Sequence, residues 1–158
     1  MADVNARDVS VYCKRLSFLH WNVCGLLSKL SDKDFIDCIV SFDFICLVET
    51  VVENIDSSLF TNYTVYCKPA VKLSNQGRHS GGILCLIRNS LVPFVRKLNI
   101  DNDLFIFILL DKALFGITKD VVYVCAHVMP QVSLYYNVFE VESGIELLEG
   151  CLSDIVSG

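Results

Sequence analysis

Two polar residues follow two apolar segments near the start of the chain. Asn22 follows residues 16–21 and Glu49 follows residues 44–48. In sheets with parallel strands, ligands bind off the carboxyl ends of the strands. An amide oxygen and a carboxylate there suit a phosphate or Mg²⁺, which takes one or two carboxylates and keeps several waters. The alternative interpretation makes Asn22 a turn residue and Glu49 a solvated strand end, and the spacing alone supports both equally.

A glycine-rich segment precedes a later strand. It reads Gly77-Arg78-His79-Ser80-Gly81-Gly82. Glycines let backbone N–H groups approach an anion, and a cationic side chain adds charge. Arg78 and Ser80 are therefore candidates for binding a phosphate. A polar glycine-rich loop before a strand is also a common turn, so the segment by itself is a weak indication.

A histidine lies near the end of a third apolar segment. His127 closes residues 121–128, just before Pro130, and it is a candidate for the same sheet edge. Histidine changes charge near neutral pH and serves as an acid, a base or a hydrogen-bond donor. A single histidine on an apolar strand is more often structural, and the geometry alone favours that interpretation.

The elements that position these residues begin with a βαβ unit. Residues 16–21 and 44–48 predict two strands, and a helix between them starts at the N-cap candidate Ser31. Asp32 and Asp34 suit the first turn of that helix because its dipole favours negative charge there. Such a crossover makes the two strands parallel.

The rest of the chain predicts more strands. We expect strands at residues 63–67, 83–88 and 121–128, with a polar loop at residues 72–80 between the first two. Residues 92–98 and 104–110 are expected to form a hairpin that turns at residues 99–103. Residues 136–155 have helical spacing, which Gly144 and Gly150 weaken by about 1 kcal/mol each relative to alanine. The predicted fold class is therefore α/β.

The length and composition of the chain limit the classes of protein to which it can belong. The length of 158 residues fits one folded domain. The hydrophobic fraction of 53% is too high for an intrinsically disordered chain. The longest apolar run, residues 104–110, is too short to span a membrane, and charges at the N-terminus argue against a signal peptide. The expected location is intracellular, in the nucleus or cytoplasm.

The cysteines, the net charge and the hydropathy indicate what the chain is expected to bind. The eight cysteines form no Cys-x-x-Cys pair, so buried reduced thiols are favoured over a zinc site. A net charge of −5 indicates no general basic face for nucleic acid. The mean hydropathy of +0.50 predicts an uncovered apolar face, through which the chain would self-associate or bind a protein partner.

Four segments in order carry a resemblance to a known family. They are Trp21-Asn22-Val23-Cys24-Gly25-Leu26, Phe44-Ile45-Cys46-Leu47-Val48-Glu49-Thr50, Gly77-Arg78-His79-Ser80-Gly81-Gly82-Ile83, and residues 123–130 with Tyr135-Tyr136-Asn137 following. In this order they resemble the endonuclease domain of LINE-type (non-LTR) retrotransposons. That domain belongs to the endonuclease/exonuclease/phosphatase superfamily, which includes abasic-site repair endonucleases. The resemblance covers residues 16–158, after an N-terminal extension of residues 1–15.

The resemblance implies a fold and an activity. The family fold is a four-layer sandwich of two β-sheets flanked by helices, and its chemistry is Mg²⁺-assisted hydrolysis of DNA phosphodiesters. Asn22 resembles the asparagine that contacts the phosphate and supports the metal site, and Glu49 resembles the metal-binding glutamate. His127 stands where the family usually has a tyrosine followed by Pro-Pro, whereas here Val128-Met129-Pro130 follows.

The sequence also departs from the family pattern. The family continues with Asp-x-Asn and Ser-Asp-His motifs, but here Ser153-Asp154 is followed by Ile155, and Asp3-Val4-Asn5 precedes the first strand. We therefore expect an incomplete sandwich that stops before these motifs and is close to inactive alone, since acid–base groups contribute roughly 10²–10⁴-fold each. The alternatives are a catalytically dead, element-derived protein that acts by binding protein or nucleic acid, and a coding remnant without a role.

Overall fold

The computed structural model describes residues 15–72, 77–128 and 144–157. In chain order the strands are β1 Phe18–Asn22, β2 Phe44–Val48, β3 Tyr63–Lys68, β4 Val71–Lys72, β5 His79–Ser80, β6 Ile83–Arg88, β7 Val95–Leu98, β8 Phe105–Leu110 and β9 Val121–Ala126. The helices are α1 Lys33–Ile39 and α2 Gly144–Ser157. Strands and helices alternate in part, and the chain is a mixed α/β protein.

The first sheet contains the predicted βαβ unit. Its strand order is β1-β2-β6-β3, and β1 runs parallel to β2 with Phe18 opposite Phe44 and Asn22 opposite Val48. Strand β6 is antiparallel to both β2 and β3, which makes the sheet mixed. The parallel pairing predicted from the sequence is confirmed, and it brings the ends of β1 and β2 to one edge.

Helix α1 begins one residue later than the sequence predicted. Asp32, and not Ser31, is the N-cap, because its side chain accepts hydrogen bonds from the backbone N–H groups of Asp34 and Phe35. Asp34 lies in the first turn, as predicted. A carboxylate at the N-cap both satisfies free N–H groups and faces the positive end of the helix dipole.

The second sheet has the order β7-β8-β9, with antiparallel pairing throughout. The hairpin of β7 and β8 is confirmed, but the prediction of a strand from residue 92 was wrong. Asn89–Phe94 forms 3₁₀ turns that contain Pro93, so the strand starts only at Val95. Proline has no N–H to donate to a ladder, which accounts for the shortened strand.

Strand β2 is buried on both faces, which accounts for its continuous apolar sequence. One face packs between the two sheets, where Cys46, Cys85 and Cys125 are fully buried among apolar side chains. The other face packs against α1 through Phe35 and Ile39. All cysteines that the structure describes are free thiols, and Cys24 and Cys38 are the exposed ones.

Helix α2 packs on the outer face of the second sheet. Its Leu147, Leu148 and Cys151 contact a cluster that includes Phe105 and Phe107. The tail was predicted to be helical over residues 136–155, and residues 136–143 of that range lie outside the described residues. Within the described residues, neither helix has the length and apolar character required to cross a bilayer.

Candidate functional site

Asn22 and Glu49 lie side by side at the carboxyl ends of β1 and β2. Beyond the strands the two chain segments continue to pair: the Val23 N–H donates to the Val48 carbonyl at 3.0 Å, and the Gly25 N–H donates to the Glu49 carbonyl at 2.8 Å. Because these bonds join the turns themselves, the two polar side chains are held at the same sheet edge. The sequence predicted this edge for both residues.

Cys24 links the two side chains. The Asn22 Oδ1 atom accepts a hydrogen bond from the Cys24 backbone N–H at 3.1 Å and from its thiol at 3.2 Å. The same sulfur lies 3.8 Å from Oε2 of Glu49. An amide oxygen and a carboxylate oxygen from two different strands therefore contact one exposed sulfur atom.

Asn22, Cys24 and Glu49 form a cluster at this sheet edge, and His127 contacts that cluster from the second sheet. Its Nε2 atom lies 3.1 Å from Oε1 of Glu49, and its side chain is 9% exposed against 38% for Glu49. Among the described residues, the buried His127 Nδ1 atom has no hydrogen-bond partner. The neutral ring carries one proton, and placing it on Nε2 satisfies the contact with the carboxylate. His127 thus acts as a donor to Glu49.

The backbone at this edge is strained. Cys24, Glu49 and Val51 have φ angles of 48°, 53° and 56°, which L-residues with side chains seldom adopt. Such conformations cost of order 1–3 kcal/mol each and persist where the surroundings fix them. These three residues are the non-glycine positions of positive φ in the described part of the chain, and all lie in or beside the cluster.

The glycine-rich segment supports the cluster through its backbone. The Thr50 N–H donates to the Gly82 carbonyl at 3.3 Å, and the Val51 N–H donates to the Gly81 carbonyl at 3.0 Å. A Cβ atom at Gly82 would lie 2.5 Å from Oγ1 of Thr50. Glycine is required there by close approach as well as by its φ of +87°.

The side chains proposed from the sequence for phosphate binding lie outside the cluster. Arg78 is exposed and Ser80 is half-buried in β5, and within the described ranges neither side chain forms a hydrogen bond or an ion pair with Asn22 or Glu49. Their neighbour His79 instead pairs with Glu53, with 2.7 Å between Nε2 and Oε1. The structure brings together Asn22, Glu49 and His127 and leaves Arg78 and Ser80 apart.

The donor set limits what the edge can bind. Over the described residues, no group of three or more histidine, cysteine, aspartate or glutamate side chains is placed to hold a metal ion. His127 is a poor ligand, because a metal at Nε2 would move the proton to Nδ1, where none of the described residues supplies an acceptor. Asn22 Oδ1 and Glu49 Oε2 remain as hard oxygen donors, and one carboxylate with one neutral oxygen fits a Mg²⁺ ion that keeps most of its waters.

Sequence reasoning did not select Cys24. It stands two residues after Asn22, and an asparagine side chain commonly accepts a hydrogen bond from the backbone two residues on. That local rule could have placed Cys24 beside the amide oxygen. Its distance to Glu49 depends on the pairing of β1 with β2 and follows from the sheet only.

Comparison with solved structures found a similar fold, whereas two comparisons of the sequence found no match. No protein-family model matches the sequence, and no curated protein matches it. The crystal structure of the AP endonuclease LMAP from Leishmania major is similar, with a TM-score of 0.56 and 18% sequence identity. The match covers 77% of this chain and 44% of that chain, so the chain spans less than half the length of that endonuclease. At this identity the likeness shows an AP endonuclease-like fold.

Proposed function

We propose that the chain supplies part of the active site of a metal-dependent DNA endonuclease, with Asn22, Glu49 and His127 as its polar groups. The observation that carries the proposal is the contact of His127 Nε2 with Glu49 Oε1, which joins the two sheets at the edge where Asn22 also lies. The fold likeness to an AP endonuclease supports this class of chemistry.

Mg²⁺ is the cofactor that the family resemblance implies, and Glu49 with Asn22 would hold it. When bound, such an ion stabilises negative charge on the phosphoryl oxygens and on the leaving oxygen of a phosphodiester. The carboxylate supplies the charge and the amide supplies a neutral oxygen. Solvent reaches both, since Asn22 is exposed and Glu49 is 38% exposed.

The protein groups have separate roles in this proposal. His127 holds Glu49 Oε1 by a hydrogen bond from a nearly buried ring, while Oε2 lies 3.8 Å from the Cys24 sulfur. The Asn22 amide N–H groups can donate to a phosphate oxygen while its Oδ1 accepts from Cys24. Positioning of this kind lowers the entropic part of a reaction barrier.

The narrower proposal rests on the motif order in the sequence. We infer a LINE-type retrotransposon origin, with residues 16–158 forming part of a four-layer sandwich after an extension at residues 1–15. The 158 residues contain no Ser-Asp-His, and their Asp-x-Asn lies at Asp3-Val4-Asn5, before β1. The chain by itself is therefore expected to bind metal and DNA phosphates with little turnover.

Plasmid nicking and DNA affinity test the proposal together. Supercoiled plasmid is incubated with Mg²⁺ or Mn²⁺ and wild-type chain, Glu49→Gln or Glu53→Gln, and the affinity for a labelled duplex is measured in Ca²⁺. We expect nicking near background, and a metal-dependent DNA affinity that falls in Glu49→Gln and stays in Glu53→Gln. A DNA affinity independent of both metal and Glu49 would refute the site, and robust nicking would refute the expectation of low turnover.

A second candidate function is self-association. Among the described residues, β1 and β9 each pair on one side only, and Phe18 on β1 and Val128 just after β9 are 41% and 49% exposed. Unpaired strand edges with apolar side chains favour addition of another strand. Sedimentation of the wild-type chain against Phe18→Lys tests this: a dimer that the substitution dissociates supports it, and a wild-type monomer at high concentration refutes it.

A further inference from the structure

A cavity of about 290 Å³ lies where β3 of the first sheet meets β7 and β8 of the second sheet. Lys68 of β3, Lys97 of β7 and residues 98–101 line it, together with Phe105 and Ile106 of β8. None of the residues assigned above to the metal site lines this cavity. It is therefore a separate candidate site with two cationic side chains.

The two lysines are held in place by neutral groups. The Lys68 Nζ atom donates a hydrogen bond to the Asn102 carbonyl, and the Lys97 Nζ atom lies 5.8 Å from the centre of the Tyr66 ring. Within the described ranges, neither lysine forms an ion pair with a carboxylate. Two ammonium groups without a paired carboxylate concentrate positive potential in a cleft, and such a cleft attracts an anion.

The charge of the cavity indicates which anion fits it. Asp101 also lines the cavity, so two positive charges and one negative charge leave a formal charge of +1. Each phosphodiester of DNA carries a single negative charge, whereas a phosphate monoester carries about −1.5 to −2 at pH 7. The lining therefore matches the charge of a phosphodiester better than that of a terminal or free phosphate.

The strand register places Lys68 at the same sheet edge as Asn22. Four residues form one row across β1, β2, β6 and β3: Asn22, Val48, Ile83 and Lys68. Adjacent strands lie about 4.8 Å apart, so three spacings put Lys68 roughly 14 Å from Asn22 along the edge. One strand of DNA rises about 3.4 Å per nucleotide, so this separation corresponds to about four nucleotides.

We propose that Lys68 and Lys97 form a second phosphate-binding site, which takes a backbone phosphodiester of DNA about four nucleotides from the one at Asn22. The inference rests on the proposed function for the identity of the polymer, and it adds a contact that needs no metal ion. Contacts between lysine and phosphate position DNA without reading its sequence. The pair supplies local attraction on a chain whose net charge is −5.

The experiment measures the affinity of the full chain for a fluorescently labelled DNA duplex in EDTA, by anisotropy, over a series of salt concentrations. The variants are Lys68→Gln, Lys97→Gln and the double substitution, with Lys68→Arg and Lys97→Arg as variants that keep the charge. Lys119→Gln is the matched control, because this exposed lysine precedes β9 at the opposite end of the second sheet. Thermal melts first confirm folding, and Lys97→Gln alone carries the test if Lys68→Gln does not fold.

We expect the slope of log affinity against log salt concentration to become shallower by about 0.9 for each lysine replaced by glutamine. Lys119→Gln and the two arginine variants should keep the wild-type slope. The proposal is overturned by an absence of duplex affinity in EDTA, by an unchanged slope in the double variant, or by an equal decrease in Lys119→Gln. Poly-glutamate that displaces the duplex at equal charge concentration would assign the cavity to acidic peptides and also overturn it.

The proposed endonuclease function fails separately, through DNA affinity in Ca²⁺ that is insensitive to the metal and to Glu49. A chain with that result whose salt slope in EDTA still depends on Lys68 and Lys97 would retain this phosphate site and lose the proposed metal site.

Discussion

The imidazole of His127 and the carboxylate of Glu49 meet across the two sheets, with 3.1 Å between Nε2 and Oε1. Glu49 follows β2 in the first sheet and His127 follows β9 in the second. The two residues are 78 positions apart in the chain, so their contact depends on how the sheets pack. It fixes one carboxylate oxygen and leaves the other facing Cys24.

Replacing His127 should affect metal binding more than stability. His127→Phe removes the hydrogen bond to Glu49, but it also removes the buried Nδ1 atom, which has no partner in the described part of the chain. These two effects oppose each other, so the free energy of unfolding should change by less than about 1.5 kcal/mol. Affinity for Mn²⁺ should fall about tenfold, because groups that orient a metal ligand typically contribute that much.

Calorimetric Mn²⁺ titration and urea unfolding check the prediction for His127. His79→Phe is the control, since His79 pairs with Glu53 outside the cluster. Equal Mn²⁺ affinity in wild type and His127→Phe would show that the contact with Glu49 has no role in binding.

Gly82→Ala should distort the site. The new methyl group would lie 2.5 Å from Thr50 Oγ1, and the residue would keep a φ of +87°. We expect a loss of at least about 2 kcal/mol in the free energy of unfolding, from strain and overlap together. Gly116→Ala is the matched control, because Gly116 has a φ of +62° but open space around it. Urea unfolding of both variants should give the larger loss at position 82, and equal losses would contradict the close approach.

Stability toward acid should depend on Asp43. Burial alone raises the pKa of its carboxyl, but hydrogen bonds from Ser17 and the neighbouring Arg88 outweigh burial and hold the pKa below its usual value. A lowered folded-state pKa gives stability that is complete above the unfolded pKa of about 3.9 and is lost as the pH falls through the folded value. Asp43→Asn should therefore destabilise the protein at neutral pH and flatten the loss of stability below about pH 4.

Unfolding free energies measured from pH 7 to pH 2 test the role of Asp43. Asp37→Asn is the control, because Asp37 forms an exposed pair with Lys33 on α1. If Asp43→Asn and wild type lose stability in parallel over the acid range, the network with Ser17 and Arg88 does not hold the carboxylate charged.

The thiols between the sheets should resist modification. Hydrogen bonding with Cys125 and burial raise the pKa of Cys46 and Cys85, and the reactive form of cysteine is the thiolate. Iodoacetamide under native conditions should label Cys24 and Cys38 at least about tenfold faster than Cys46 and Cys85. Peptide mapping by mass spectrometry measures the rates, and fast native labelling of Cys85 would contradict the packing.

Local patterns predicted much of the first sheet. The apolar run at residues 44–48 and the strand at residues 83–88 have the observed bounds, since burial on both faces leaves a continuous signal in the sequence. The 3₁₀ turns before β7 were missed, because their apolar residues resemble a strand and Pro93 was given too little weight. The N-cap shifted from Ser31 to Asp32, as both residue types suit that position.

The site was harder to predict than the fold. Asn22 and Glu49 follow parallel strands, so general rules place both at one edge, while Cys24 and the backbone role of Gly82 depend on the distance between loops. The contact of His127 with Glu49 requires the packing of two sheets, which no periodicity encodes. The roles of Asn22, Glu49, His127, Arg78 and Ser80, and the boundary after residue 15, stay predictions.

We propose that Glu49 anchors a divalent cation at the edge formed by β1 and β2. Electron paramagnetic resonance of free Mn²⁺ tests it most directly, in a titration of wild type, Glu49→Gln and Glu53→Gln. Both substitutions remove one exposed carboxylate, but Glu53 pairs with His79 away from the cluster. We expect Glu49→Gln to weaken Mn²⁺ binding by at least about tenfold, while Glu53→Gln binds Mn²⁺ as wild type does. Equal binding by wild type and Glu49→Gln would contradict it.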